Sequence, residues 1–527
     1  MRFFVLIARV IWVVHLIFTG CVCRYSARKR NYWKEQNVKH EPLSVLAAVK
    51  RLLLKPPHIV DVERYKKMGK LFGFFEGGEP ILMVAEPDLI KLVLVKDFPN
   101  LPDRMPFQFF EPLLDNTVGV TPLETWRRIR PSVSPAFTTG KLRKMTDLIQ
   151  QCAKKTAIHL TTAAHTQTDV EMKQFYGHYA MDVISRCAFG TEVDSHSDKT
   201  NEFVTCVRTV ISGGLNLRLL VLMLFPGLMN ALRMKVFDPR AFEYLKNFTL
   251  AVMKKRENER HEDFLQLMMD AQEGTLSDVG ESAPEHNSEV FNLGSDSKCN
   301  VVFGARRLTE TEAMAQCVQF FLAGLDTTSA VLAYTAYLLA LNPDVQNKLR
   351  KEVNECIETH GCDPSLDVVS KLKYLHCVLS ETLRMYPPAP RLQRIASKEY
   401  VLGETGIRLS SGCAVVVPVY AMHHDPLLFP DPEIFNPDRF SEENAGSIQP
   451  YTYLPFGAGP RNCVGMRFAL LSLKLCLLHS VRSVEFVPTE KTKVPLMFHK
   501  GAPVLSAKDV FLGIRKIPSP ISERMPH

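Results

Sequence analysis

The chain opens on an apolar run, Phe3 to Cys23 (FFVLIARVIWVVHLIFTGCVC), followed at once by Arg24, Arg28, Lys29 and Arg30. At about 1.5 Å per residue, such a run is long enough to cross a hydrocarbon core as a helix. Arg9 and His15 interrupt it, and Arg9 sits far enough from the centre to snorkel. Only Arg2 precedes the span, so the positive-inside rule leaves the rest of the chain in the cytosol. A cleaved signal peptide is the competing reading of the same run. Further on, LFGFFEGGEPILMV (71–84) predicts two strands around a Glu-Gly-Gly-Glu turn. Most of the chain from there through the 340s reads as helical. Within it, LRLLVLMLFPGLMNALRM (217–234) is apolar enough to be core, the roof of a substrate channel or a second membrane contact. Residues 272–305, rich in Ser, Gly, Glu and Asn, form the long polar insertion.

A second long apolar segment starts after that insertion. Thr309 and Glu312 have the spacing of a capping box, and the apolar pattern then runs to Asn342-Pro343, where proline opens the next helix. This is a helix of roughly 50 Å, apolar nearly all round, and so buried through the centre of the protein. Residues 398–422 are richer in Val, Gly and Tyr and read as short strands, and the last hundred or so as loop, helix and strands.

Composition narrows the class. The 527 residues are 46% hydrophobic and 23% charged, which is globular, with a net charge of +8 that is modest for the size. No run of Lys and Arg with interleaved aromatics is present, so nucleic acid is excluded as a partner, and the basic excess fits a membrane surface or an acidic protein. The thirteen cysteines have no repeating spacing and no CxxC pair, which points to a reduced compartment and buried thiols. In that setting the Asn247-Phe248-Thr249 sequon is idle.

One cysteine stands apart. FGAGPRNCVG (456–465) places Phe456, Gly457, Gly459, Arg461 and Gly465 around Cys463, ahead of the apolar run MRFALLSLKLCLLHSV. A thiolate that binds something and stays protected needs backbone N–H groups, a helix N-terminus and an apolar wall. The glycines allow the backbone to turn its amides toward one sulfur, the run from Val464 starts a helix, and Arg461 offers a cation. The bland alternative is a glycine-rich turn around an incidental buried thiol.

These residues resemble the haem-ligand loop of the cytochromes P450, Phe-x-x-Gly-x-Arg-x-Cys-x-Gly, at every fixed position. The resemblance implies that Cys463 is the axial thiolate of haem b, under the cover of Phe456, and that Arg461 pairs with a propionate. Other segments agree with it. Glu381 and Arg384 in ETLR, with Arg439 in NPDRF downstream, match the family's buried charge triad that supports the cysteine loop. AGLDTT (323–328) lies inside the long helix, where Asp326 and Thr327 need a reason, since unpaired polar groups are costly to bury. A threonine bonded back to the preceding turn is the plain explanation; the family reading makes Thr327 and Asp326 the proton relay for oxygen activation. WRRIR sets Trp126 and Arg130 at i and i+4, like the family's propionate-binding pair, and Arg104 and Arg394 resemble further propionate ligands.

The resemblance covers nearly the whole chain from about residue 60 and is strongest to the clan of broad-substrate liver drug-oxidising enzymes and thromboxane synthase. It implies a mainly α fold with small β-sheets: an anchor at 1–23, a basic membrane-proximal linker at 24–59 and a single catalytic domain at 60–527. The family's proline-rich hinge is poorly matched, with only Pro42, Pro56 and Pro57. The implied activity is a monooxygenase of the endoplasmic reticulum membrane that acts on apolar small molecules. No NADPH-binding fingerprint or flavin domain is visible, so electrons come from NADPH-cytochrome P450 reductase, with cytochrome b5 as a further partner. Arg127 and Arg467 are the candidates to meet the reductase. The distal pocket is expected to be lined by Phe107, Phe109, Phe110, Phe320, Phe321 and Pro387 to Pro390. Two other readings use the same loop: a haem-thiolate isomerase that rearranges a peroxide without reductase, and a non-enzymatic haem-binding sensor. Retained Asp326 and Thr327 argue against both.

Overall fold

A computed structural model of the chain describes residues 30–104, 109–197, 239–256, 263–275, 307–500 and 504–517, with a few positions between them. The expected membrane span, the apolar stretch 217–234 apart from Arg233, the insertion beyond Thr275 and Phe107 lie outside the described residues.

The elements that carry the site are nine helices and one sheet. The helices are α1 (Pro57–Met68), α2 (Leu123–Val133), α3 (Thr139–Thr166), α4 (Met172–Phe189), α5 (Pro239–Lys255), α6 (Glu310–Leu341), α7 (Pro343–His360), α8 (Lys373–Met385) and α9 (Met466–Ser483). Helix α6 starts where the sequence predicts. Thr309 accepts from the Glu312 N–H and Glu312 accepts from the Thr309 N–H, and Asn342-Pro343 ends α6 and opens α7. Although long and apolar enough to cross a membrane, α6 is instead the axis of the main core: α4 packs along it, and α8 and α9 also contact it. An all-round apolar surface is what a helix enclosed by other helices requires.

The sheet runs β1 (Leu71–Glu76), β2 (Glu79–Val84), β4 (Ala414–Val417), β3 (Leu392–Ile395), with β2 parallel to β4 and the other pairs antiparallel. Gly77 and Gly78 both take positive φ, 57° and 81°, which is why the hairpin turn needs them. The stretch 398–422 forms short strands as expected but ends in a helical turn, Val419–His423.

Residues expected to be a linker carry structure of their own from residue 30 onward. Trp33 is fully buried and donates to the Phe74 carbonyl at 3.2 Å, and its ring occupies the space that a Cβ on Gly73 would need. Asp61 on α1 and Glu76 on β1 both bind Arg391 just before β3, so this N-terminal layer is bolted to the sheet.

Several buried histidines are held neutral. Burial, with Arg391 nearby, pushes His58 down to about 4; burial, with Lys474, pushes His376 down to about 3; burial, chiefly, pushes His424 down to about 3. An unfolded histidine titrates near 6.5, so below that pH the unfolded chain takes up protons that the native state refuses. Stability is therefore expected to fall as pH drops through about 6, each histidine contributing up to about 1.4 kcal/mol per pH unit. Denaturant midpoints measured from pH 7.5 to 5 check this; a flat profile would contradict it.

Candidate active site

The ten described cysteines are all free, and burial pushes most of them up, Cys152 to about 12 and Cys377 to about 11. Cys463 differs in kind. Protein surrounds it densely, yet its side chain is reachable by solvent, so it faces an internal cavity rather than a packed core. Burial raises its thiol, while the Gly465 N–H, Arg130 and Arg104 pull it back down. Those are the groups that stabilise a thiolate.

The loop's glycines do different jobs. Gly457 and Gly459 have φ of 72° and 70°, and a Cβ on Gly459 would stand 1.9 Å from the Leu94 carbonyl oxygen. Gly465 is the residue before α9, without a positive φ, and a Cβ there would make an ordinary 3.6 Å contact with Phe137. The helix thus begins at Met466, slightly later than the apolar run suggests, and the Cys463 N–H closes the loop on the Phe456 carbonyl at 2.9 Å. Gly459→Ala is accordingly expected to cost more than 2 kcal/mol, from backbone overlap and a left-handed φ together, whereas Gly465→Ala costs less than about 1 kcal/mol. Thermal melts of the two variants check the ranking, and equal losses would refute it.

Arginines converge beside this cavity. Arg104 donates to the Arg461 carbonyl. Arg130 donates to the Asn462 carbonyl at 3.1 Å and to Asn462 Oδ1 at 2.8 Å. Arg461 donates to the Thr121 carbonyl at 2.8 Å, lies 3.5 Å from Asp103 and stacks its guanidinium over Trp126 at 5.0 Å. Arg394, on β3, is 2% exposed; one of its nitrogens reaches only the neighbouring Gln393 carbonyl, and its Nε has no partner. Arg461 Nε is also buried without one. Burial lowers all four cations, and repulsion from neighbouring arginines adds to it at Arg130, Arg394 and Arg461: Arg130 falls to about 10, Arg461 to about 9, and Arg394 well below its usual value. Among the described residues, the ion pair this cluster makes with a carboxylate is the one to Asp103. Arg394 and Arg461 are buried with an Nε that finds no acceptor, and the half-buried Arg104 and Arg130 stand beside them, so the cluster suits an anionic ligand. The two propionates of haem b have that charge, and the thiol faces the same cavity, so the residues fit the group.

Helix α6 presents a less buried stripe of its own. Phe320, Ala323, Gly324 and Thr327 recur at helical spacing, and Ala323 is exposed although α6 is a core helix. The Thr327 hydroxyl donates to the Ala323 carbonyl at 2.7 Å, the local back-bond that the sequence allows. Asp326 is turned to α4, where Lys173 Nζ holds it at 2.8 Å and also donates to Ser506 at 2.7 Å. Nothing in the sequence links Lys173 to Asp326, which are brought together by the packing of α4 on α6. Phe109 and Phe110 are half-buried, whereas Phe321 is turned aside against Phe189, ring centroids 4.8 Å apart. Arg127 lies 3.8 Å from Glu124, and Arg467 donates to Thr139 at 2.7 Å.

Glu381, Arg384 and Arg439 meet behind the loop. Arg384 donates to both oxygens of Glu381, at 2.7 and 2.9 Å, and Arg439 Nε lies 3.3 Å from the same carboxylate. A residue that sequence reasoning missed carries this arrangement forward. His423 accepts from the Leu454 N–H at 3.0 Å through Nε2, so its Nδ1 donates to the Arg384 carbonyl at 3.0 Å. Arg384 in turn donates to the His423 carbonyl at 2.7 Å. Tyr453 stacks on His423 and donates to the Ser380 carbonyl at 2.9 Å. The His-His pair at 423–424 has no local signature that would have singled it out.

Comparison with known proteins gives the same picture as the geometry. A family model described as cytochrome P450 matches residues 41–512. Cytochrome P450 3A2 of Rattus norvegicus is 34% identical over 515 residues, 95% of this chain and 96% of its own length. Cytochrome P450 3A11 of Mus musculus is 35% identical with the same coverage, and cytochrome P450 3A7 of Homo sapiens is 36% identical over 86% of each chain.

Proposed function

This chain belongs to the cytochrome P450 family and is a haem-thiolate monooxygenase; we propose that it oxidises apolar small molecules at the endoplasmic reticulum membrane, with Cys463 as the iron ligand. The observation that carries the site assignment is a solvent-reachable thiol beside four clustered arginines, two of them buried with an unpartnered Nε, whose one carboxylate partner among the described residues is Asp103. Cys463 would ligate the iron, and Arg104, Arg130, Arg394 and Arg461, with Trp126 against Arg461, would hold the propionates. When bound, haem supplies the redox chemistry, and a thiolate ligand favours O–O cleavage.

The protein's own groups do the rest. The arginines orient the group and neutralise its acids, and the Gly465 N–H, Arg130 and Arg104 favour the thiolate against the burial that raises it. Ala323, small and exposed, leaves the face of α6 open, while Gly324 makes room for Ile184 of α4. Thr327 gives its proton to the Ala323 carbonyl, so its oxygen accepts a hydrogen bond from the cavity side. Asp326 is the next residue, and Lys173, bonded to its carboxylate, leads on to Ser506. Family members draw electrons from a redox partner; NADPH-cytochrome P450 reductase, with cytochrome b5 in a supporting role, is the reading for this chain. It follows that residues 1–23 anchor the chain and the catalytic part faces the cytosol.

The test is turnover of an apolar substrate with reductase, NADPH and ¹⁸O₂. One labelled oxygen in the product, with NADPH consumed, is expected. Unlabelled product formed from an organic peroxide without NADPH, and none formed with it, would make the protein an isomerase instead.

A further inference from the structure

The arginines beside Cys463 come from four separate segments, and one residue is tied to all of them. Asp103 precedes Arg104 in the chain. Its carbonyl accepts the Ile395 N–H at 2.8 Å, a bridge to β3 one residue from Arg394. Its Oδ1 accepts the Leu123 N–H at 2.9 Å, at the start of α2, the helix that carries Trp126 and Arg130. The same oxygen lies 3.5 Å from Arg461 Nη2. Pro122, before α2, makes no side-chain cap, so Asp103 fills that role at the helix end where the dipole favours an anion. Burial pushes the Asp103 carboxyl up, while Arg461 and the Leu123 N–H push it back down.

We infer that Asp103 is a positioning residue of the haem site, which gathers the four arginine-bearing segments and supplies the counter-charge that sets the reduction potential of the bound group. This rests on the reading of Cys463 as the iron ligand. Charge carries the argument. Four guanidinium cations face the Cys463 thiolate, the two propionates of haem b and Asp103, so the set is neutral with Asp103 charged and has a surplus cation without it. Among the described residues, Asp103 is the carboxylate that pairs with this cluster, so no other acid takes over its charge. Its side chain is 27% exposed and that of Arg461 fully buried, so water screens the pair only in part. A negative charge held among the arginines opposes the arrival of an electron, and Asp103 therefore keeps the potential low. Position follows from the same contacts. Arg104 holds the Arg461 carbonyl while Asp103 faces the Arg461 guanidinium, so two consecutive residues grip the cysteine loop.

Spectroelectrochemical titration of the full-length, haem-loaded protein tests this. Asp103→Asn keeps an oxygen for the Leu123 N–H and removes only the charge. It is expected to shift the ferric–ferrous equilibrium about five-fold toward ferrous, a rise of about 40 mV at about 59 mV per tenfold change. Asp103→Glu, which keeps the charge, should return the potential toward the wild-type value. Asp103→Ala also removes the acceptor, so its haem should pass to apomyoglobin at least about five-fold faster than that of Asp103→Asn. If the alanine variant does not fold, the asparagine and glutamate variants still decide the matter. A potential unchanged in Asp103→Asn, or raised as much in Asp103→Glu, would overturn the counter-charge, and equal haem loss from the alanine and asparagine variants would overturn the positioning. A wild-type protein without the red-shifted carbon monoxide band would overturn the reading of Cys463 and this one together, whereas an unchanged potential in a protein that has the band overturns this one alone.

Discussion

Exchanging Cys463 for histidine is expected to replace the strongly red-shifted carbon monoxide band of the reduced protein with a histidine-like one and to take NADPH-driven turnover below detection. The reason is specific to this thiol. The other described cysteines that burial pushes up are sealed in the core, whereas Cys463 faces a cavity, receives the Gly465 N–H and has Arg104 and Arg130 as neighbouring cations. Histidine can ligate iron but brings no negative charge, so it removes the electron donation that drives O–O cleavage and leaves the arginines with less counter-charge. Haem content is expected to fall less than activity, because the four arginines that would grip the propionates are untouched. Haem content by pyridine haemochrome and the carbon monoxide difference spectrum separate these effects. A wild-type protein without the red-shifted band, or a variant that keeps it, would sink the assignment of Cys463 as ligand.

How much of this was visible in the sequence depends on whether the physics is local. The capping box at Thr309, the proline opening α7 and the glycine pair in the β1–β2 turn are local, and the structure has them where the pattern puts them. The cysteine loop is local as well, though only the backbone shows that Gly459 is demanded by Leu94, some 365 residues earlier in the chain. The arginines are legible singly but not as a cluster. Arg104, Arg130, Arg394 and Arg461 come from four separate segments, and their like-charge crowding exists only once the sheet and α2 pack around the loop. Lys173 and His423 were invisible for the same reason. Each acts through a partner more than thirty residues away, on residues whose own neighbours carry no matching signal.

Glu381→Gln is expected to be the most destabilising single substitution in the supporting layer, at about 3–5 kcal/mol. Both Glu381 and Arg384 are fully buried, so the exchange leaves a guanidinium in the core without its anion, and it also weakens Arg439 and the Asn436 N–H, which share the same carboxylate. Against a total stability of about 5–15 kcal/mol, that is enough to unfold part of the population. The effect should reach the sulfur before global unfolding. Arg384 holds the His423 carbonyl, and the His423 ring holds the Leu454 N–H, two residues before Phe456, whose carbonyl receives the Cys463 N–H. Warming the variant should therefore convert the thiolate-type carbon monoxide band to the histidine-like form at temperatures where far-ultraviolet circular dichroism is still native. His423→Phe separates the two contributions. It keeps the buried ion pair but orphans the Leu454 N–H, costing roughly 1–3 kcal/mol, and should show the same early loss of the thiolate band with a smaller drop in melting temperature. If His423→Phe keeps the band up to the global melt, the route from Glu381 to the cysteine loop does not pass through His423, and the charge pair stabilises the fold without positioning the ligand.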